Sequence, residues 1–304
     1  MEIKVLTCES EQKSAEKLGF KTHTYLGDYV NKYNNNIVIR WGNSKSAFGD
    51  NGRREFEFKQ VINPANKIRR NCQKNIAIKL MAQVVNVPTI YEKTIPKDTL
   101  AVVRPLEHAA GNGFSVKKGP FKIEPGTYGT KFIKTDTEYR VWFCGDKTMC
   151  GRRVKMKVNE TQEYACRSNW GYEFSTGIAP ELHYQTLLAA KKIGLDFGAA
   201  DLLYYKGKYW FLELNSAPSV DHRIVREFYQ QGLQILMAKK FPEMFGIQKK
   251  EQAPVQSPEP KKSERAQKPV AMVEIVPPAV PPVTIPPGTT FFFGDGELTE
   301  ITME

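Results

Sequence analysis

The stretch Trp210–Asp221, WFLELNSAPSVD, sets a carboxylate and an amide in register at the end of an apolar run and follows them at once with small residues and a proline. In an extended segment alternate side chains share a face, so Glu213 and Asn215 point together while Leu212 and Leu214 point the other way. Upstream, FGAADLLYYKGKYWFLELN reads as two strands turning at YKGK, and folding the chain at Lys206 to Lys208 brings Asp201 opposite the Glu213 region. Two carboxylates and an amide oxygen then gather at one end of a sheet. An all-oxygen set of this kind suits a hard cation that keeps waters and phosphate ligands, magnesium rather than zinc. On spacing alone it equally suits polar residues on a solvated strand face.

Working outward, NIVIRWG (Asn36–Gly42) and TLAVVRPL (Thr99–Leu106) are short β-branched runs bounded by turn formers and read as strands. NKIRRNCQKNIAIKLMAQVVNV (Asn66–Val87) spaces Ile68, Cys72, Ile76, Leu80 and Val84 at helical intervals and predicts one helix ended by Pro88. APELHYQTLLAAKKIG (Ala179–Gly194) predicts another. The segment YGTKFIKTDTEYRVWFCGDKTMCGRRVKMKV alternates on both sides of CGDKT, a hairpin signature. No internal repeat is visible.

At 304 residues and 41% hydrophobic content the chain can bury a sizeable core. A net charge of +11 fits an anionic partner: a nucleotide, a nucleic acid or a carboxylate-bearing substrate. Five cysteines without a CxxC pair predict reduced thiols in a cytoplasmic setting rather than a disulfide framework or zinc site. The N-terminus becomes charged too soon for a secretory signal, and no apolar run is long enough to span a bilayer, so a soluble protein with no membrane partner is expected. Ten of the nineteen prolines fall in residues 251–304, which predicts a proline-rich linker over 249–288. The closing TTFFFGDGELTEITME, residues 289–304, regains apolar character and reads as a strand or a segment docking on a protein partner, another subunit or its own body.

The run GLDFGAADLLYYKGKYWFLELNSAPSVD resembles the metal-binding end of the ATP-grasp superfamily, in which an aspartate on one strand and a Glu-x-Asn on the next hold magnesium against the ATP phosphates. Asp201, Glu213 and Asn215 match that pattern. The resemblance implies an α+β ATP-grasp fold over residues 61–248, two α+β subdomains clasping ATP, preceded by a small α/β domain over 1–60. It places Arg104 as the basic residue before a glycine-rich loop carrying His108, Gly111 and Gly113, with glycines admitting backbone N–H groups to phosphate oxygens. Many members have lysine where Arg104 stands; an arginine common two residues before the metal aspartate is replaced by Ala199. Lys131, Phe132 and Ile133 would line the adenine slot and Glu138 would reach the ribose. Arg140 would meet phosphates or an acidic substrate, and Arg153 and Lys155 would lie over the γ-phosphate. Arg167 and Asn169 would hold the acceptor or an acyl phosphate. The runs RWGN and RSNWGYEF resemble a group of ATP-grasp proteins often encoded by bacteriophages, which implies a host cytoplasm.

What the resemblance implies is a carboxylate–amine ligase using ATP and Mg2+, with two ions, through an acyl phosphate. Phosphoryl transfer is mostly positioning and charge neutralisation, so no nucleophilic triad is required. Two other readings remain open: an ATP-grasp kinase phosphorylating a small molecule, and a basic nucleotide-binding assembly protein tethered by its tail.

Overall fold

A computed structural model describes residues 2–24, 36–44, 60–106, 113–135, 137–155, 170–175 and 177–247, with the backbone alone of Lys155, Trp170, Phe292–Phe293 and Leu298–Thr299. The first strands are β1 (Glu2–Thr7), β2 (Lys21–His23), β3 (Asn36–Trp41) and β4 (Val61–Ile62), with the short helix α1 (Gln12–Glu16) between β1 and β2. All pair in parallel in the order β2-β1-β3-β4. Strand β3 is buried throughout, as a central parallel strand covered on both faces must be. Its one charge, Arg40, donates from Nη1 to the Asn43 carbonyl at 3.2 Å.

The next segment departs from the single helix predicted over Asn66–Val87. It forms α2 (Ala65–Cys72) and α3 (Lys74–Met81), broken at Gln73, where ψ is 84°. Packing explains the break. The expected stripe leaves Cys72 and Ile76 exposed, whereas Ile68 and then Ala77, Ile78 and Met81 are buried, a phase that one straight helix does not deliver.

Two antiparallel sheets follow. The first, β5-β10-β7-β8, uses β5 (Ile90–Tyr91), β7 (Leu100–Pro105), β8 (Ser115–Lys118) and β10 (Thr127–Lys131); β6 (Thr94–Ile95) pairs with β9 (Phe121–Lys122) beside it. The second has the order β13-β12-β11-β14-β15, built from β11 (Glu138–Cys144), β12 (Lys147–Lys155), β13 (Trp170–Phe174), β14 (Phe197–Tyr205) and β15 (Lys208–Asn215). Helix α4 (Pro180–Ile193) precedes β14, and α5 (Arg223–Lys240) follows β15. Both predicted hairpins are present. Lys206 and Gly207 have φ of 51° and 75°, the paired positive values of a two-residue turn whose twist suits the flanking strands. Near the C-terminus β16 (Phe292–Phe293) pairs with β17 (Leu298–Thr299), and β16 lies beside β13, the edge strand.

The five-stranded sheet separates two cores. On one face Val141, Phe143, Ala200, Leu202, Phe211 and Leu214 pack under α2, α3 and α4. On the other, Trp142, Cys144, Phe197 and Ala199 pack with α5 and the parallel sheet, where Trp41 stacks on Phe197 at 4.9 Å. Cys144 and Cys150 therefore lie in different cores, and burial pushes the Cys150 thiol up to about 12. Among the described residues no helix is long and apolar enough to cross a membrane.

Candidate active site

The face carrying Trp142 and Ala199 changes character along its strands. On β11 the buried Cys144 and Trp142 give way, two residues at a time, to Arg140 and Glu138; on β14, Phe197 and Ala199 give way to Asp201. Cross-strand register aligns the polar ends: Arg140 lies opposite Asp201, Asp201 opposite Glu213, and Arg153 opposite Tyr172. A β-bulge interrupts the β14–β15 ladder at Asp201/Leu202, pairing Leu202 with Phe211 and leaving Leu212 extra. The alternation expected at Leu212 is thereby corrected. Phe211, not Leu212, joins Leu214 in the core, while Glu213 and Asn215 still share a face.

Asp201 Oδ2 accepts from Asn215 Nδ2 at 2.9 Å, and the same nitrogen lies 3.4 Å from Glu213 Oε1. Arg140 Nε stands 3.4 Å from Asp201 Oδ1, yet both atoms are buried without a hydrogen bond. Glu213 Oε2 lies 3.4 Å from the Lys74 ammonium, which donates to the Leu214 carbonyl at 3.1 Å alongside the Asn71 amide at 2.9 Å. Farther along the row, Arg153 Nη1 donates to Glu138 Oε1 at 2.5 Å. Tyr172 Oη accepts from Arg153 Nη2 at 3.2 Å and from Arg140 Nη1 at 3.3 Å.

Burial pushes the Glu138 carboxyl up to about 7, with Arg153 opposing the shift. Burial works against the charges of Arg140 and Arg153, but Asp201, Tyr172 and Glu213 around the first and Glu138, Tyr172 and Asp201 around the second together more than offset it, so both pKa values are raised. The pair thus pulls two ways: desolvation disfavours the Glu138 charge, whereas the short bond favours it. Three carboxylates (Glu138, Asp201, Glu213) face three cations (Lys74, Arg140, Arg153) at close quarters. The row is nearly neutral as it stands, so a polyanion entering it needs further positive charge.

A magnesium ion fits that need. Asp201 Oδ1 is a buried acceptor without a hydrogen-bond partner, and turning the Asn215 carboxamide end for end would replace its Nδ2 donor with an oxygen beside both carboxylates. Among the described residues no cluster of three or more His, Cys, Asp and Glu side chains forms a metal site; the set here is two carboxylates and an amide.

Across from this face, Arg104 on β7 lies opposite Tyr128 on β10 and hydrogen-bonds its hydroxyl. Arg104 is near enough to Glu138 to lower its pKa. Lys131 ends β10, and the Phe132 amide donates to the Leu100 carbonyl. Past Phe132 the chain is fastened where Thr135 Oγ1 donates to the Tyr204 carbonyl at 2.8 Å, and β11 begins at Glu138. Lys131, Phe132 and Ile133 therefore sit at one end of the link between the sheets and Glu138 at the other. Gly113 leads into β8 with φ of +77°. Lys155 ends β12 opposite Trp170, and its side chain lies outside the described residues, as do His108, Gly111, Arg167 and Asn169.

Sequence reasoning missed Lys74, Asn71 and Tyr172. Lys74 sits inside what reads as one continuous helix. Tyr172 becomes meaningful only once β13 is paired with β12 in the register that sets it opposite Arg153.

Two antiparallel sheets joined by a short link, the second ending in an Asp and a Glu-x-Asn on adjacent strands, make up an ATP-grasp fold. No protein-family model and no curated protein matches the chain. Solved structures do. D-alanine–D-alanine ligase from Bacillus anthracis superposes with a TM-score of 0.56 at 12% identity, covering 79% of this chain and 97% of that one. Its complex with ATP gives 0.55 and 13%, covering 81% and 98%. The ATP-grasp ligase PsnB, complexed with minimal precursor, Mg and ADP, gives 0.54 and 16%, covering 77% and 97%.

Proposed function

We propose that the protein is an ATP-dependent carboxylate–amine ligase. The observation that carries the reading is the cross-strand row Arg140, Asp201, Glu213 with Asn215 at its end, on the sheet of an ATP-grasp fold. In this reading a substrate carboxylate oxygen attacks the γ-phosphorus of ATP, forming an acyl phosphate and releasing ADP. An amine then attacks the acyl carbon, phosphate leaves, and the amine gives up a proton as the amide forms.

Asp201, Glu213 and Asn215 would hold magnesium, one ion or two, which when bound supplies positive charge against the phosphate oxygens. Lys74 holds the Glu213 carboxylate in place. Arg140 and Arg153 neutralise charge that develops on the transferred group, and Arg104 approaches it from the other sheet. Lys131, Phe132 and Ile133 line the adenine slot. Glu138 gives one oxygen to Arg153 and meets the ribose with the other. The loop bearing His108, Gly111 and Gly113 covers the phosphates, while Lys155, Arg167 and Asn169 attend the acyl phosphate and the acceptor. The ATP complex of the Bacillus anthracis ligase and the Mg and ADP complex of PsnB support ATP and magnesium as the ligands here.

The test is magnesium-dependent ADP formation by the wild type and by Glu213→Gln, against pools of amino acids, peptides and nucleic acid, with mass spectrometry of the products. The expected result is stimulated ADP release, lost in the variant, with a product one water lighter than its two substrates combined. ADP release with a phosphorylated product would replace the ligase by a kinase, and failure to bind ATP would defeat the site.

A further inference from the structure

Lys74 reaches the candidate metal site from outside the sheet that carries it. It is the first residue of α3, directly after the break at Gln73, and only 11% of its side chain is exposed. Its ammonium has two neighbours on β15: Glu213 Oε2 at 3.4 Å and the Leu214 carbonyl, to which it donates at 3.1 Å. The same carbonyl accepts from the buried Asn71 amide at 2.9 Å. The end of α2 and the start of α3 therefore close on one backbone oxygen between Glu213 and Asn215. An ammonium tied to the backbone in this way is a fixed charge, not one free to swing into solvent.

The two oxygens of Glu213 consequently have different surroundings. Oε1 is turned toward Asn215, whose Nδ2 lies 3.4 Å away and donates to Asp201 Oδ2 at 2.9 Å. Oε2 is turned toward Lys74. Asp201 and the Asn215 carboxamide, the other ligands on offer, thus stand with Oε1, and one hard cation can take all three while Lys74 keeps Oε2. A second ion on Glu213 would have Oε2 left to bind, at about 2.0 to 2.1 Å for magnesium. There it would crowd the same oxygen as a like charge, and where solvent is excluded such charges repel strongly. The charge balance points the same way. Lys74 and Arg140 already match Glu213 and Asp201 one for one, so the protein offers no surplus of negative charge to two divalent ions.

We infer that Lys74 is a built-in substitute for a second divalent ion: the site takes one ion, on Asp201, Asn215 and Glu213 Oε1, and the Lys74 ammonium supplies at Oε2 the positive charge that another ion would bring. This rests on the ligase reading and narrows it from one ion or two to one, against the pair that the ATP-grasp resemblance implies. Lys74 acts through Glu213, as a positioning residue.

The experiment counts Mn2+, a paramagnetic stand-in for Mg2+, on the full-length protein with the β,γ-imido analogue of ATP, whose P–N bond prevents phosphoryl transfer. Electron paramagnetic resonance measures the free ion, and bound ion follows by difference. The expected result is one Mn2+ per bound nucleotide in the wild type, with an uncoupled spectrum. Lys74→Met should bind two, with the spin coupling of ions about 3.5 to 4 Å apart. Lys74→Arg, which keeps a cation there, should bind one. Two coupled ions in the wild type overturn the inference, and so does a single ion in Lys74→Met, because a lysine that served stability alone would leave the count unchanged. Lys74→Met is destabilised, so Lys74→Gln is measured beside it; should both fail to fold, the wild-type count decides alone. If the analogue binds the wild type with two ions, this inference alone fails; if no nucleotide binds, the ligase reading fails with it.

Discussion

Gly42 directly follows β3, with φ of +71°, and a Cβ built on it would lie 2.6 Å from Ala217 Cβ. Ala217 stands two residues after Asn215, so Gly42→Ala pushes directly on the exit of the site strand. Two costs add. The left-handed backbone costs a residue with a side chain about 1 to 2 kcal/mol. Carbon atoms sit best about 3.5 to 4 Å apart, so one backbone must yield by roughly 1 Å, an overpacking cost of about 1 to 3 kcal/mol. The expected loss in urea denaturation, followed by the fluorescence of the neighbouring buried Trp41, is about 2 to 5 kcal/mol. Ala217→Gly removes the atom that is struck but leaves the backbone cost. The double variant should therefore be more stable than the sum of the two single changes by about 1 to 3 kcal/mol, the overpacking part alone. Additivity within about 0.5 kcal/mol would refute the contact between Gly42, just past β3, and the exit of the strand carrying Glu213 and Asn215.

Lys74→Met leaves Glu213 partly buried without its closest cation, which should cost about 3 to 5 kcal/mol, the range for breaking a buried pair. Added Mg2+ should then raise Tm more in the variant than in the wild type, since a cation bound only by the folded state replaces the lost charge; an equal rise would speak against a shared site. Glu138 binds its proton more tightly folded than unfolded, so its contribution to stability is fully present below its ordinary 4.5 and is lost as pH rises through about 7. At about 1.4 kcal/mol per pH unit, Glu138→Gln should gain on the wild type by up to about 3 kcal/mol across that window and by little beyond it; parallel stability curves would contradict the burial of this carboxyl. Of the thiols, Cys72 is exposed, whereas Cys144 and Cys150 are buried with their pKa values pushed up, so iodoacetamide at neutral pH should label Cys72 and spare the other two until the protein unfolds.

What was legible in the sequence was local. The Lys206–Gly207 turn brings Asp201 to the Glu213 region without any knowledge of the rest of the chain, although the register it sets, Leu202 against Phe211, would by itself place Asp201 against Leu212; the CGDKT hairpin that aligns β11 with β12 is equally local. The illegible parts depend on what arrives from elsewhere. A residue such as Lys74 reads as one more polar position on a helix until the break at Gln73 and the packing of α3 bring its ammonium to Glu213. The bulge at Leu212 is invisible because an apolar run of Trp, Phe and Leu is satisfied on either face, and only the core beneath α3 and α4 selects Phe211.

These misses share one cause, and it bears on how the site works. A strand can announce its own carboxylates, but compensation of a buried charge comes from whichever element packs against it, at no fixed distance in the chain. Here each carboxylate of the row draws its nearest cation from a different element: Glu213 from α3, Asp201 from β11, Glu138 from β12. The row can form only when α3 and those strands have come together. A carboxylate placed there in a half-folded chain would be desolvated without its cation, at a cost of several kcal/mol. Assembly of the site and completion of the fold are thus one event, and substitutions at Lys74, Arg140 or Arg153 should lower stability and change magnesium affinity together rather than either alone.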